Sequence, residues 1–512
     1  MKALFESIKN HKKAFIISLI FLVYFASGLI RCIANGDGLS KVRFAIYLML
    51  IGLTVTFFIF SCVFEKVRYD IAALLIILCF GIISLIIMPL YTVPDEQVHM
   101  YGAYRVSNKL MGKEAESPYK AVMMRNDDRM DAYYPGSHTV LAIVNYWSWL
   151  DKDASDETFV DSGHPAPNAP EYCYFFSALG ITIGRLLHLG PMKVYFLGRI
   201  FNLVFFAVIS FFAIQIIPKG KPVLFVLSTM PICIQQAASL SYDSFLIPMA
   251  FLLTAFTVKY IVDGTLSRVQ FILMFVTALL VLPMKGWAYF PIALLPFFIV
   301  LWRNRKNIIK KDKIRHIIYA LLFALFVIAV FAALFYFRKQ PDNNYHETLG
   351  MYGYSIPYLA KHLSAFPRLL ANALEASTAW YFDTFFGGLL GRLEININQI
   401  FRLIYLILLI LAIMHRKSDE YYFSIKAKSG FFVVALISVL CIFAGMLVGW
   451  TGLESDVIQG VQGRYFIPLA FYIMMLFNTK RVECSENIDR VLLFLDLWSL
   501  GFVELDVIGM LG

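Results

Sequence analysis

Apolar runs of about 20 residues recur along the chain, separated by polar or charged segments. At about 1.5 Å of rise per residue, a helix of that length crosses a hydrocarbon core of about 30 Å. The runs predict about 13 transmembrane helices, at 14–34, 43–64, 71–90, 192–217, 222–239, 244–262, 268–284, 287–302, 316–337, 398–414, 430–448, 464–477 and 491–511. They divide the chain into N-terminal transmembrane helices (1–90), a long polar loop (91–191), central helices (192–337), a second loop (338–397) and C-terminal helices (398–512) with a shorter polar segment at 449–463. The expected fold class is an all-α polytopic membrane protein. The first run follows Lys12 and Lys13, is too long for a signal-peptide core and precedes no convincing cleavage site, so it reads as a retained span.

Composition agrees. Hydrophobic residues make up 59% and charged residues 16%, against roughly 25% charged in soluble domains, which excludes a soluble enzyme. The net charge of +10 would suit nucleic acid if it were clustered for it. Its distribution says otherwise. With the amino terminus inside, the basic excess falls in the cytoplasmic segments, most clearly at Arg303 to Arg315, where seven basic residues face one acid. The partner implied is anionic membrane lipid, and no nucleic acid. Of seven cysteines only Cys173 lies in a long polar loop, so no disulfide framework is expected.

The same alternation puts 91–191, 338–397 and 449–463 on the extracytoplasmic side, and chemistry is expected there. The loop at 91–191 is too long for a plain connector. Within it, Val140 to Leu150 and Tyr172 to Leu189 suit interfacial helices with Trp147, Trp149, Tyr172 and Tyr174 at headgroup level. A transmembrane reading of 172–189 is the alternative, and it would upset the alternation.

The densest chemistry is Tyr91-Thr-Val-Pro-Asp-Glu-Gln-Val-His99. Thr92 fits an N-cap, Pro94 a first helical turn, and Asp95 and Glu96 the positive end of a helix dipole. On a helix Asp95 and His99 share a face, while Glu96 projects about 100° away. The acids either cap an interfacial helix or supply a carboxylate able to take a proton from a hydroxyl. Asp95, Glu96 and His99 could also bind Mg or Mn, although no second His or Cys cluster supports zinc, and no cofactor is required.

Other loop ends supply binding candidates: Asp243 in Ser241-Tyr-Asp-Ser244, Lys285 in the turn between two spans, and Asp383 in the aromatic stretch 380–388. Gln462, Arg464 and Tyr465 lie in Gln459-Gly-Val-Gln-Gly-Arg-Tyr-Phe-Ile-Pro468. There Gly463 permits close backbone approach and the guanidinium fork suits phosphate oxygens, against the plainer reading of an aromatic-belt anchor. Arg199 falls inside the fourth span and needs an anionic partner, a protein carboxylate or a lipid phosphate.

P-D-E-x-x-H-x-x-x-A-Y at 94–104, L-G-R-x-x-N at 197–202, S-Y-D at 241–243 and G-V-Q-G-R-Y-F-x-P at 460–468 resemble a bacterial family of predicted membrane proteins of unknown function. That family resembles in turn the GT-C superfamily of membrane glycosyltransferases, whose first external loop carries a paired-acid motif. The resemblance implies inverting transfer of a sugar from a polyprenyl-phosphate donor to an envelope glycan, polymer or lipid acceptor, with Asp95 or Glu96 as base. The candidates for substrate contact are His99, Arg199, Asp243, Lys285, Asp383, Gln462, Arg464 and Tyr465, and Arg199 falls where several such enzymes place an arginine after the motif loop. Two spans precede the one leading into the motif, whereas the superfamily usually needs one.

Two rival readings stand beside it. A secondary transporter or flippase would place coupling acids near the bilayer midplane, and Asp496, inside the last expected span, fits that pattern. A non-catalytic partner in an envelope complex would use the loops as a docking surface.

Overall fold

The computed structural model describes residues 12–35, 38–63, 66–135, 139–308, 332, 335–342, 344–346, 350–417, 419, 421–485 and 487–510. It is mostly helical. Among the described residues six helices are long and apolar enough to cross a membrane. Three come first: α1 (Lys12–Asn35), α2 (Gly38–Val63) and α3 (Tyr69–Ile87). The motif helix α4 (Glu96–Leu110) follows, then β1 (Ala121–Arg125), α5 (Val140–Leu150), β2 (Phe159–Pro165) and α6 (Phe175–Leu186). The fourth long apolar helix is α7 (Pro191–Ile216), with α3, α6 and α10 (Asp243–Asp263) packed on it. Between α7 and α10 lie α8 (Lys221–Thr229) and α9 (Pro231–Ala237). Beyond them come α11 (Arg268–Val281), α12 (Phe290–Ile308), α13 (Ala365–Phe386), α14 (Gln399–Ile413), α15 (Ile425–Trp450), α16 (Ile467–Leu476) and α17 (Asn487–Gly509).

Small residues set the tightest packing. A Cβ on Gly180 of α6 would stand 2.4 Å from the Leu197 carbonyl oxygen of α7, so the two backbones approach more closely than any larger residue allows. Polar side chains fix several helix starts: Thr139 accepts from the Ala142 N–H, Ser424 from that of Ala427, and Ser267 forms a capping box with Gln270.

The structure refines the sequence reading in four places. The mostly helical chain also holds a few short strands, of which β1 and β2 form an antiparallel pair inside the first loop. The run at 222–239 is not one span: Pro231 lacks the N–H that would continue α8, and α9 starts there instead. The motif helix starts later than the Thr92 cap implies. Asp95 is the N-cap, in a left-handed conformation (φ 63°), while the Thr92 hydroxyl donates to the Pro89 carbonyl. Several expected spans are also shorter than a crossing helix, with α11, α14 and α16 among the shorter apolar helices. The span expected at 316–337 lies largely outside the described residues.

Candidate functional site

Glu96 opens α4 with its side chain fully buried. One carboxylate oxygen accepts the Tyr91 N–H at 2.8 Å; the other accepts the Leu240 N–H at 3.0 Å and lies 3.4 Å from Arg199 Nε. Arg199, only 1% exposed, also donates to the Ala238 carbonyl at 2.7 Å and the Met88 carbonyl at 3.0 Å. The intramembrane arginine therefore has a protein carboxylate for its partner. Glu96 joins the end of α3, the start of α4, α7 and the stretch after α9, with both oxygens occupied.

Asp95, one residue earlier, differs in every respect. Its side chain is 58% exposed and makes no capping bond. Around it gather Arg464 from the segment before α16, Asp243 from the first turn of α10 and Lys285 from the turn between α11 and α12. Arg464 Nη2 is 3.7 Å from Asp95 Oδ2, and its Nε is 3.6 Å from Asp243 Oδ2. Both separations exceed a hydrogen bond. Arg464 is only 2% exposed, yet its Nε and Nη1 have no hydrogen-bond partner among the described residues. The other oxygen of Asp243 is 3.0 Å from Lys285 Nζ, which lies over the rings of Tyr242 and Tyr465 at 4.6 and 4.3 Å. Burial alone would lower the Lys285 ammonium, but Asp243, Tyr242 and Tyr465 outweigh it and hold the group well above its ordinary value.

His99 closes the inner side. Its Nδ1 shares a 2.8 Å hydrogen bond with the Tyr174 hydroxyl, and Tyr242 meets its ring edge-on at 4.7 Å between centroids. Burial, reinforced by the Lys285 charge, lowers His99 from 6.5 to about 3, so it is neutral at physiological pH.

Backbone conformation marks the same place. Tyr91, Asp95, Lys285 and Trp287 all have positive φ, four of the eight non-glycine residues that do so among the described residues. Such strain persists only where surroundings over-determine it. Gly463 is required on steric grounds, since a Cβ there would meet the Tyr381 carbonyl oxygen at 1.9 Å, and its N–H donates to Thr384 Oγ1 at 2.7 Å. That contact seats the segment before α16 against α13 and sets the depth of Arg464.

The structure thus brings together Asp95, His99, Asp243, Lys285, Arg464 and Tyr465. Glu96 and Arg199 lie behind them as a buried tie. Asp383 is occupied elsewhere, paired with Arg402 on α14, and Gln462 faces a neighbouring cleft. Asp95, Glu96 and His99 do not converge on one point: Glu96 turns to Arg199 and His99 to Tyr174. Among the described residues no three His, Cys, Asp or Glu side chains are placed to hold a metal ion. Sequence reasoning gave Tyr242 no role, although it lies inside the stretch Ser241-Tyr-Asp-Ser244 next to Asp243. It also overlooked Arg392, whose Nε donates to the Tyr91 carbonyl at 2.7 Å, and Gln235, whose amide pairs with both the N–H and the carbonyl of Gly391. These bonds clamp the second loop onto the motif.

Residues 78–473 match the family described as predicted membrane protein (DUF2142), and the chain belongs to that family. The whole cluster from Asp95 to Tyr465 lies inside the matched segment. No curated protein and no solved structure matches the chain.

Proposed function

We propose that this member of the DUF2142 family is a GT-C-type glycosyltransferase of the bacterial cytoplasmic membrane, acting on its outer side. It transfers a sugar, with inversion, from a polyprenyl-phosphate donor to an envelope glycan, polymer or lipid. The observation that carries this reading is the buried Arg464, with two N–H groups unpartnered, next to Lys285 and the exposed Asp95. A guanidinium with an open fork beside an ammonium suits the oxygens of a phosphate monoester or diester. A carboxylate with no hydrogen bond of its own at the helix start suits a base.

In this reading the acceptor hydroxyl attacks the anomeric carbon opposite the phosphate. The new C–O bond forms as the sugar–phosphate bond breaks. Asp95 takes the hydroxyl proton, and polyprenyl phosphate leaves with its growing charge held by Arg464 and Lys285. Neutral His99 adds no competing cation. Glu96 keeps Asp95 in place and does not meet the acceptor.

Purified protein given a labelled polyprenyl-phosphate sugar and an envelope acceptor fraction should release polyprenyl phosphate, and Asp95→Asn should slow the release about 10² to 10⁴-fold. Wild-type protein that binds the lipid-linked sugar and moves it across vesicles without cleaving it supports the transporter reading instead. One observation favours that second reading: Asp496 and Glu504 on α17 are buried, with both oxygens of Asp496 and one of Glu504 unpartnered among the described residues. Buried acids without cations are costly in a bilayer and common in proton-coupled carriers. Orientation is open to a separate check. Cysteines replacing Glu114 and Glu454 should react with an impermeant thiol reagent in intact cells, and one replacing Thr265, beyond the far end of α10, should not.

A further inference from the structure

Next to the charged cluster lies a second opening of different chemistry. A cleft of about 280 Å³ is bounded on one side by Ser377, Trp380 and Tyr381 of α13 and on the other by residues 457–462. None of its lining residues is charged. Its shape is built in advance. Trp380 Nε1 donates to the Val461 carbonyl at 3.1 Å, Gln459 N–H to Thr451 Oγ1 at 3.0 Å, and Asn372 Nδ2 to the Asp456 carbonyl at 2.8 Å. Gly460, at φ 77°, sits where a Cβ would stand 2.4 Å from the Trp450 ring, which fixes the loop at its tightest point. Trp380 is held by its N–H while 37% of it stays exposed, leaving part of a flat aromatic side chain uncovered. The Gln462 Oε1 atom is buried and without a hydrogen-bond partner. Gln462 lines the cleft, and a rotation about its terminal torsion would turn this unmet acceptor toward a donor bound there.

We infer that this cleft binds a neutral carbohydrate, and, resting on the reading above, that it is the acceptor subsite of the transferase. A phosphate or nucleotide would need cations that the cleft lacks. A purely apolar chain would leave Gln462 unmet. A sugar answers both: its C–H face packs on an aromatic platform, and its hydroxyls donate to and accept from amides and hydroxyls such as those of Gln462, Gln459 and Ser377. The cleft is slightly smaller than the range of about 300–1,000 Å³ usual for drug-sized ligands, which suits one or two sugar rings. Its position suits the chemistry, since Gln462 and Arg464 are two residues apart and their Cα atoms lie within about 7.6 Å. A saccharide seated on Trp380 would thus end beside the phosphate-binding group.

The test uses full-length protein in detergent and a panel of methyl glycosides and disaccharides of the common hexoses and N-acetylhexosamines, with binding followed by saturation-transfer NMR and calorimetry. At least one should bind. Ser377→Phe, which fills the cleft, and Gln462→Leu, which removes the unmet acceptor, should each weaken it at least tenfold, with thermal stability and polyprenyl phosphate binding unchanged. Trp380→Ala should do the same, but it also loosens the loop, so Ser377→Phe is the deciding variant. Absence of binding across the panel, or binding indifferent to Ser377→Phe and Gln462→Leu, overturns the inference. Sugar binding at the cleft in a protein that transfers nothing leaves the cleft standing and removes the transferase.

Discussion

Glu96–Arg199 and Asp95–Arg464 are both carboxylate–guanidinium pairs contributed by one motif and two distant segments, yet they are opposites. The first is sealed: Glu96 is fully buried and takes three partners, and Arg199 gives Nε and Nη1 to the backbone, with only its Nη2 unpartnered among the described residues. The second is open: its charges stand 3.7 Å apart, Asp95 is exposed, and Arg464 keeps two idle donors. Adjacent acids of the same charge thus divide the labour of a site. Saturation of hydrogen bonds gives rigidity, and the lack of it gives a place for something else to bind.

The sharpest way to break this contrast is Asp95→Asn, which keeps volume and removes the proton acceptor. Turnover of the lipid-linked sugar should fall about 10² to 10⁴-fold with donor binding and thermal stability retained. Normal turnover in that variant would reduce the motif to a helix start. Removing the proposed phosphate clamp comes next. Arg464→Ala should cost about 10² to 10³-fold in turnover, the scale of losing a preorganised donor at a charged transition state. Arg464→Lys should recover part of this, and equal rates in all three forms at limiting and saturating donor would exclude the role.

Glu96→Gln should act in another currency altogether, because it strands Arg199 without its counter-charge. Stability should drop by about 3–5 kcal/mol, the usual loss when one partner of a buried pair is removed. The readout is thermal unfolding in detergent, and Arg199→Met should restore part of the loss in the double variant. A Glu96→Gln protein that is stable but inactive would reverse the assignment of the two acids.

The smallest effect belongs to His99. Lowered from 6.5 to about 3 by burial and Lys285, it takes up a proton in the unfolded chain before it does so in the folded one. Its contribution to stability is whole above about 6.5 and drains away as pH falls towards about 3. His99→Gln should flatten the acid side of the stability profile over that window, measured by unfolding temperature against pH. An unchanged slope would mean that the imidazole is not held neutral.

Much of this was legible in the sequence because hydrophobic periodicity is read residue by residue. α3, α7 and α15 coincide with expected spans within several residues, and α5 occupies the stretch 140–150 as expected. What escaped was set by distant partners. β1 and β2 are far apart in the chain and show no strict alternation, so nothing local announces their pairing. The division between Asp95 and Glu96 was equally hidden. Helical geometry placed Asp95 and His99 on one face, whereas the left-handed N-cap at Asp95 turns it outward, and Glu96 finds Leu240 and Arg199 only once α7 to α9 are in place. Gathering Asp243, Lys285 and Arg464 could be proposed from their common position at loop ends, but the idle donors of Arg464 are a property of distances.

The saturated tie around Glu96 also has a history within the lifetime of each molecule. Its carboxylate is synthesised first, Arg199 only after the whole first loop has emerged, and the Leu240 N–H later still. When α7 enters the bilayer with an arginine inside it, the counter-charge that makes this tolerable is already waiting at the end of α3. A chain lacking the Glu96 charge is therefore expected to insert α7 less efficiently and to accumulate to a lower level, on top of the lower stability of the molecules that do fold.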